Sequence, residues 1–175
     1  GCRHPSTLTS INNLGLLLQD IGQLEAAGLL FQEDLQASRE TLGDRHPSTL
    51  VSLHNMGLLL QDMNKLEEAR PLLEEDLQAC RETLGCRHPS TLTSINNLGL
   101  LLQDIGQLEA AGLLFQEDLQ ASRETLGDRH PSTLVSLHNM GLLLQDMNKL
   151  EEARPLLEED LQACRETLGC RHPST

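Results

Sequence analysis

The stretch NNLGLLLQDIGQLEAAGLLF, residues 12–31, contains two apolar patterns of helical spacing on either side of Gly22. The first is rich in leucine, and the second continues with Leu24, Ala27 and Phe31. Glycine tolerates the left-handed conformation that ends many helices. The stretch therefore predicts a helix, a tight turn at Gly22 and a second helix.

The outer boundaries of this helix pair are marked by proline and glycine. Pro5 suits the first turn of a helix, where a missing N–H costs nothing, and Gly43 reads as a C-terminal stop. The predicted helices span about residues 5–21 and 24–42, and their short connection predicts an antiparallel pair. The loop histidines, such as His4, are expected to cap or terminate helices.

The helix pair recurs every 42 residues, and residues 1–84 are identical to residues 85–168. Within each copy the second half differs from the first, for example by Asn64 at the turn. The predicted repeats are type A at 1–42 and 85–126, type B at 43–84 and 127–168, and the start of a fifth repeat at 169–175. We expect one all-α solenoid domain, because such repeats share their core with their neighbours.

The identical copies also bear on the origin of the chain. It has no initiator Met, and its first residue falls on a repeat boundary. These features favour an excised piece of a longer array or a deliberate, engineered concatenation.

Composition excludes several classes of function. The net charge of −13, from 26 acidic and 13 basic side chains, argues against nucleic acid or an anionic membrane as partner. No apolar run is long enough for a membrane span, and no signal peptide is visible. Five cysteines, an odd number, do not make a secreted disulfide framework. The expected setting is therefore the reducing cytoplasm.

On a helical wheel the first helix has an apolar and a polar half, and Leu16 lies in the middle of the polar half. The leucine recurs in every repeat, flanked by amides and an acid. Stacked repeats would form an apolar ribbon with hydrogen-bonding edges, which suits an extended or helical peptide. Alternatively, Leu16 packs on the adjacent repeat. The predicted peptide-binding residues are Asn13, Leu16, Gln19, Asp20, Asn55, Leu58, Gln61, Asp62, Asn97, Leu100, Gln103, Asp104, Asn139, Leu142, Gln145 and Asp146.

The second helix has an acidic outer face and an apolar stripe that a carboxylate interrupts in every repeat. A carboxylate in an apolar stripe needs hydrogen-bond partners. The expected donors are Arg or His of the RHP loops, or exposed N–H groups at the start of the next helix. We interpret these carboxylates as structural clamps rather than acid/base catalysts. They are Asp34, Asp76, Asp118 and Asp160.

The cysteines fall into two groups. Cys80 and Cys164 lie on the apolar stripe and are expected to be small packing residues, whereas Cys2, Cys86 and Cys170 lie in loops and are expected to be exposed. The alternative is a loop disulfide between Cys80 and Cys86, and between Cys164 and Cys170. The sequence CRH supplies two ligands, but a zinc site usually needs four. We predict neither a metal nor a cofactor.

The same residues resemble the tetratricopeptide repeat (TPR). Leu14 and Gly15 match the small-residue pair of its first helix, where helices approach closely, and Gly22 matches its turn glycine. Ala27 and Phe31 match the small and large residues of its second helix. The repeat length and the TLGxxHPxT…NNL…LEEA pattern resemble the longer repeats of kinesin light chains and nephrocystin-like proteins.

This resemblance implies a right-handed superhelix whose first helices line a concave groove. A groove asparagine of the family often binds the peptide backbone of the ligand, and the wheel also places it on the polar face. The matching residues are Asn13, Asn55, Asn97 and Asn139. The chain departs from the family pattern where Asp34 replaces a second-helix alanine, and where Leu73 replaces the large aromatic in type B.

Three functional classes follow. The first is a peptide- or protein-binding scaffold, which the ribbon and the resemblance favour. The second is a structural module without a ligand, which the identical copies favour; its open apolar ends predict head-to-tail self-association. The third, an enzyme, is disfavoured because no nucleophile–base pair, phosphate loop or complete metal set is present.

Overall fold

A computed structural model describes residues 4–168 of the protein, and every regular element among them is an α-helix. The chain divides into two compact units, one up to Cys86 and one from Arg87 onward. The first unit contains α1 (Pro5–Asp20), α2 (Leu24–Leu42), α3 (Pro47–Asp62) and α4 (Leu66–Leu84). The second unit contains α5 (Pro89–Asp104), α6 (Leu108–Leu126), α7 (Pro131–Asp146) and α8 (Leu150–Leu168).

The helices of each unit pack in the order of the chain. In the first unit α1 packs on α2, α2 on α3 and α3 on α4, and the second unit repeats this order. The first helices α1 and α3 also approach one another within 8 Å between Cα atoms, whereas α2 and α4 do not. Each unit is therefore curved, with the first helices of its two repeats on the inner side.

The first helix of each repeat begins at a histidine cap. His46 Nδ1 accepts a hydrogen bond from the backbone N–H of Ser48 at 3.2 Å, and Pro47 occupies the first helical position. A second bond, from Thr49 Oγ1 to the carbonyl oxygen of Gly43 at 2.8 Å, ties the helix start to the preceding loop. The prediction that loop histidines cap helices is confirmed at His4, His46, His88 and His130.

The turn between paired helices satisfies the carbonyls that the first helix leaves unpaired. Gly22 has φ of +79°, its N–H donates to Gln19, and the N–H of Gln23 donates to Leu18 at 2.8 Å. These two backbone hydrogen bonds form the Schellman motif, which requires a residue in the left-handed backbone conformation. Asn64 takes that role in type B with φ of +58°. The predicted turn residues are confirmed.

The paired helices lie close together because a glycine faces a large side chain. A Cβ atom added at Gly15 would lie 2.5 Å from Cε1 of Phe31, and one at Gly57 would lie 2.5 Å from Cδ2 of Leu73. Phe31 is completely buried and packs in one cluster with Leu59 of the next repeat. The core thus passes from one helix pair to the next within the unit.

Arginines form ion pairs on the side of the second helices, between repeats at Arg39 and within one repeat at Arg45. In the first unit Arg39 Nη2 lies 2.7 Å from both carboxylate oxygens of Glu75, and Arg45 lies 2.8 Å from Glu82. The second unit repeats both ion pairs at Arg123–Glu159 and Arg129–Glu166. These groups are partly exposed, so each pair contributes little by itself.

The apolar half of α1 is only partly covered. Leu8 is buried, but Leu14, Leu17 and Ile21 are 48%, 55% and 58% exposed. Within its unit α1 packs only on α2 and α3, which leaves the opposite side of the helix open.

Candidate functional site

The inner side of each unit carries the residues that the sequence singled out for peptide binding. In the first unit Asn13 and Leu16 are exposed on α1, and the corresponding Asn55 and Leu58 on α3 are half-buried. Leu16 is 38% exposed, which leaves apolar surface among polar neighbours.

All sixteen predicted residues lie in the described part of the chain, and all are at least partly exposed. The exposed ones are Asn13, Leu16, Asp20, Asp62, Asp104, Leu142, Gln145 and Asp146. The half-buried ones are Gln19, Asn55, Leu58, Gln61, Asn97, Leu100, Gln103 and Asn139.

Hydrogen bonds join this surface from one repeat to the next. Gln19 Nε2 donates to Asp62 Oδ2 at 2.6 Å, and Asn55 Nδ2 donates to Asn12 Oδ1 at 2.8 Å. The second unit repeats both bonds at Gln103–Asp146 and Asn139–Asn96. These bonds orient the amides of Gln19, Asn12 and Asn55, and their counterparts in the second unit, before any partner arrives.

Asn12 belongs to this surface but was not among the residues predicted from the sequence. Its partner Asn55 lies 43 positions later, one residue beyond the repeat length. Gln19 and Asp62 have the same separation. Searching for complementary donors and acceptors at this offset would have found both pairs.

The clamp carboxylates of the type A repeats face a serine of the next helix pair. Asp34 is 3% exposed, and its Oδ2 accepts a hydrogen bond from Ser52 Oγ at 2.5 Å. In the second unit Asp118 accepts the corresponding bond from Ser136 at 2.5 Å, with Ser122 Oγ at 3.5 Å.

In the type B repeats a histidine of the same helix pair faces the carboxylate. Asp76 is 1% exposed, and its Oδ2 lies 3.1 Å from His54 Nδ1. Cys80 Sγ donates a weak bond to its other oxygen at 3.6 Å. The half-buried Asp160 has the same partners, His138 and Cys164.

The donors proposed from sequence were therefore wrong for Asp34. The loop histidines cap helices, and the loop Arg45 pairs with Glu82 on the surface. Residues of the first helices supply the donors instead, because those helices pack directly against the carboxylate stripe.

Burial raises the pKa of both type A carboxyls. Removal from water is the largest cause at Asp34 and Asp118, and it outweighs the opposing hydrogen bonds from Ser52 and Ser136. A negative charge at these positions is thus incompletely compensated by the protein.

A cleft lies beside each of these carboxylates. In the first unit it encloses about 220 Å³, and its lining consists of Leu8, Thr9, Asn12, Asp34, Ser38, Leu42, Ser48, Val51 and Ser52. In the second unit the matching cleft encloses about 250 Å³. Its lining consists of Pro89, Leu92, Thr93, Asn96, Asp118, Ser122, Leu126, Ser132, Val135 and Ser136.

The cysteines follow the packing interpretation where they are described. Cys80 is buried and Cys86 is exposed, and both are free thiols in this structure. Cys164 is free and half-buried, and burial raises the pKa of its thiol. The loop cysteines Cys2 and Cys170 lie outside the described residues.

Among residues 4–168, no group of three or more His, Cys, Asp or Glu side chains is arranged to hold a metal ion. Each helix in this range is too short or too polar to cross a bilayer.

The chain matches known repeats in both sequence and fold. The tetratricopeptide repeat pattern matches residues 6–75, 53–117 and 133–174. No curated protein matches the chain.

Three solved structures show the likeness in fold. The nearly identical TPR-like repeats of a candidate kinesin light chain from Podosopora anserina are 31% identical, with a TM-score of 0.83 over 98% of this chain and 81% of that one. A point variant of those repeats is 30% identical, with a TM-score of 0.86 over 96% and 79%. BtubC (BKLC) from P. vanneervenii shares the fold at 16% identity, with a TM-score of 0.84 over 95% of this chain and 66% of that one.

These matches fix the fold class as the all-α, TPR-like solenoid of antiparallel helix pairs. Proteins of this kind serve in general as protein-interaction scaffolds and are typically not enzymes. The chain belongs to the tetratricopeptide repeat family.

Proposed function

We propose that this protein is a scaffold that binds an extended or helical peptide along the inner side of its units. The observation that carries the proposal is the leucine among polar side chains on each first helix. Leu16 is 38% exposed, and Asn13 and Gln19 lie within one turn of it on the same helix. Such a surface offers apolar contact together with hydrogen bonds to a peptide backbone.

Preorganisation supports the same proposal. Cross-repeat bonds hold Gln19 against Asp62 and Asn12 against Asn55, so part of the ordering cost of binding is already met in the free protein. The exposed Asp20 and Asp62 favour a peptide with Lys or Arg, in keeping with the net charge of −13.

The test is an unbiased peptide-library selection on the protein and on two quadruple variants. The groove variant changes Asn13, Asn55, Asn97 and Asn139 to Ala. The matched control changes four exposed amides of the second helices, Gln36, Gln78, Gln120 and Gln162, to Ala. Circular dichroism checks that all three proteins are equally helical.

Enrichment of a common motif that is lost only in the groove variant supports the proposal and defines the ligand. Equal enrichment in the groove variant and the control contradicts binding at the inner side. No enrichment on any of the three proteins contradicts the peptide-binding function itself.

A second candidate function, head-to-tail self-association, is favoured by the open apolar side of α1. Leu14, Leu17 and Ile21 are about half exposed, and on α8 Leu161 is 44% exposed. Covering these side chains with a second copy would remove apolar surface from water. Sedimentation at rising concentration should show oligomers that Leu17→Lys weakens, whereas a strict monomer contradicts this candidate.

A further inference from the structure

We infer that the two clefts beside Asp34 and Asp118 are binding sites for a primary alkylammonium group, such as the end of a lysine side chain. The inference concerns a pocket of its own, beside the inner surface. Its use for a lysine within a bound peptide rests on the proposed function.

The depth of the lining residues describes the shape of the cleft. Asp34 is 3% exposed and Ser38 is fully buried, so polar groups lie at the closed end, whereas Val51 is 51% exposed and lies at the mouth. Leu8 and Leu42 line the cleft as well. A polar end with apolar walls matches a charged group on an aliphatic stem.

The size of the cleft is sufficient for such a group. Its volume is about 220 Å³ in the first unit and about 250 Å³ in the second. An apolar protein cavity of about 150 Å³ already accommodates benzene. A four-carbon alkylammonium therefore fits in either cleft.

The polar groups at the closed end have hydrogen-bonding capacity to spare. Ser38 Oγ is buried and has no hydrogen-bond partner among the described residues. Asp34 Oδ2 accepts from Ser52, and that hydroxyl also lies 2.9 Å from the carbonyl oxygen of Ser48. One hydroxyl proton cannot serve both acceptors fully. An ammonium group brings three donors and a positive charge to a carboxyl whose pKa is raised by burial.

The type B repeats show which kind of group meets this carboxylate. Asn12 lines the cleft of type A, and the corresponding residue of type B is His54. The imidazole of His54 places a nitrogen 3.1 Å from Asp76. Type B thus supplies a nitrogen donor to this carboxylate from its own chain. The shorter Asn12 leaves room in type A for such a donor on a ligand.

The cleft also adjoins the proposed groove. Asn12 both lines the cleft and accepts the hydrogen bond of Asn55. A peptide lying along the inner surface can therefore place one lysine side chain in the cleft of each unit.

The first experiment titrates the full chain with n-butylammonium chloride and follows the carboxyl carbons of aspartate by NMR. Sodium chloride at equal ionic strength and n-butanol at equal concentration separate charge screening and apolar contact from specific binding. We expect a saturable shift with n-butylammonium only. A shift that sodium reproduces, or none at all, overturns the inference.

Three double variants locate the binding. Asp34→Asn with Asp118→Asn removes the charge with little change of shape and should weaken binding at least about tenfold. Asn12→His with Asn96→His converts the cleft to the type B arrangement and should also block it. The matched control, Asp76→Asn with Asp160→Asn, should leave the affinity unchanged. Equal loss in the control and the Asp34 variant contradicts the assignment.

A second experiment separates this inference from the proposed function. The peptide-library selection is repeated on the Asp34→Asn, Asp118→Asn variant. Loss of lysine at one position of the motif, with the rest retained, supports the lysine pocket. A motif that keeps that lysine contradicts it while leaving the groove intact. Saturable n-butylammonium binding without any peptide enrichment leaves the pocket standing and removes the peptide function.

Discussion

The two repeat types place the same carboxylate in the same helix but give it different partners. In type A, Asp34 accepts from Ser52 of the following helix pair, whereas in type B, Asp76 faces His54 of its own pair. The Asp34–Ser52 bond of type A therefore joins two repeats. The Asp76–His54 contact of type B lies within one helix pair and stabilises that pair. The corresponding first-helix residues are Asn12, which lines the cleft beside Asp34, and His54, which faces Asp76.

The repeat types also differ in the side chain that packs against the glycine of the first helix. Gly15 faces the ring of Phe31, which cannot change shape, whereas Gly57 faces the branched end of Leu73. Gly15→Ala should destabilise the fold by about 1–3 kcal/mol, and Gly57→Ala by less, because a leucine can rotate away from the added methyl. This is the largest expected effect, and urea unfolding measures it.

The control for this prediction is Gly28→Ala. A Cβ atom there would meet only Leu59 Cδ2, at an ordinary 3.4 Å, and alanine favours a helix by about 1 kcal/mol over glycine. We expect a neutral or stabilising result. Equal losses of unfolding free energy in Gly15→Ala and Gly57→Ala would show that an aromatic ring tolerates the added methyl as well as a leucine does.

The hydrogen bond from Ser52 to Asp34, which joins two repeats, is tested by removing the serine hydroxyl. Ser52→Ala with Ser136→Ala removes the donor to each type A carboxylate and should cost about 1–2 kcal/mol at neutral pH. Ser10 occupies the same repeat position in α1 but is exposed and donates to the backbone of Ser6. Ser10→Ala should therefore change the unfolding midpoint very little, and an equal loss would refute the role of the Asp34 bond.

The histidine caps should show no difference between repeat types. His46 starts a type B helix and His88 a type A helix, with cap distances of 3.2 and 3.1 Å. Replacing either one by Ala should cost about 0.5–1 kcal/mol, because one N–H at the helix start loses its acceptor. Thermal unfolding of the two single variants compares them. Unequal costs would place the difference between repeat types in the helix starts as well.

The smallest expected effect is the slope of the unfolding free energy against pH that the type A carboxyls produce. Burial raises the pKa of Asp34 and Asp118 in the folded protein, so the folded state binds protons more readily than the unfolded chain. This contribution to stability is complete below the unfolded pKa of about 3.9 and is lost as the pH rises through the folded pKa.

Unfolding free energies measured against pH test this slope. Asp34→Asn with Asp118→Asn should become more stable relative to the unmodified protein as the pH rises through that window. Asp62→Asn with Asp146→Asn, at exposed positions, controls for the change in net charge. A constant difference across the window contradicts the slope.

Helix boundaries and turns were predictable from the sequence because each depends on a few local residues. Pro5, Gly22 and Gly43 act through their own backbone conformations, and the second helices end where Gly43 predicted. The close helix packing at Gly15 was also predicted, through the family resemblance, but its partner Phe31 was not. These features need no knowledge of how one repeat sits against the next.

The partners of the carboxylates could not be predicted in the same way. Asp34 and Ser52 are 18 positions apart, and Asp76 and His54 are 22 apart, so the pairings depend on the rotation and offset of packed helices. A helical wheel gives the side of one helix and not its register against a neighbour. The cleft beside Asn12 was missed for the same reason, since it exists only where three helices meet.

The Arg39–Glu75 pair, and its counterpart Arg123–Glu159, join the second helices of successive repeats and give each unit an ionic-strength-dependent stiffness. Arg39 and Glu75 lie on the outer side of the curve, where bending would lengthen or shorten their separation. On the opposite side the repeats are joined by hydrogen bonds of side-chain amides, which salt affects far less. Because added salt screens exposed charges, a unit should flex more easily about its inner side as the ionic strength rises.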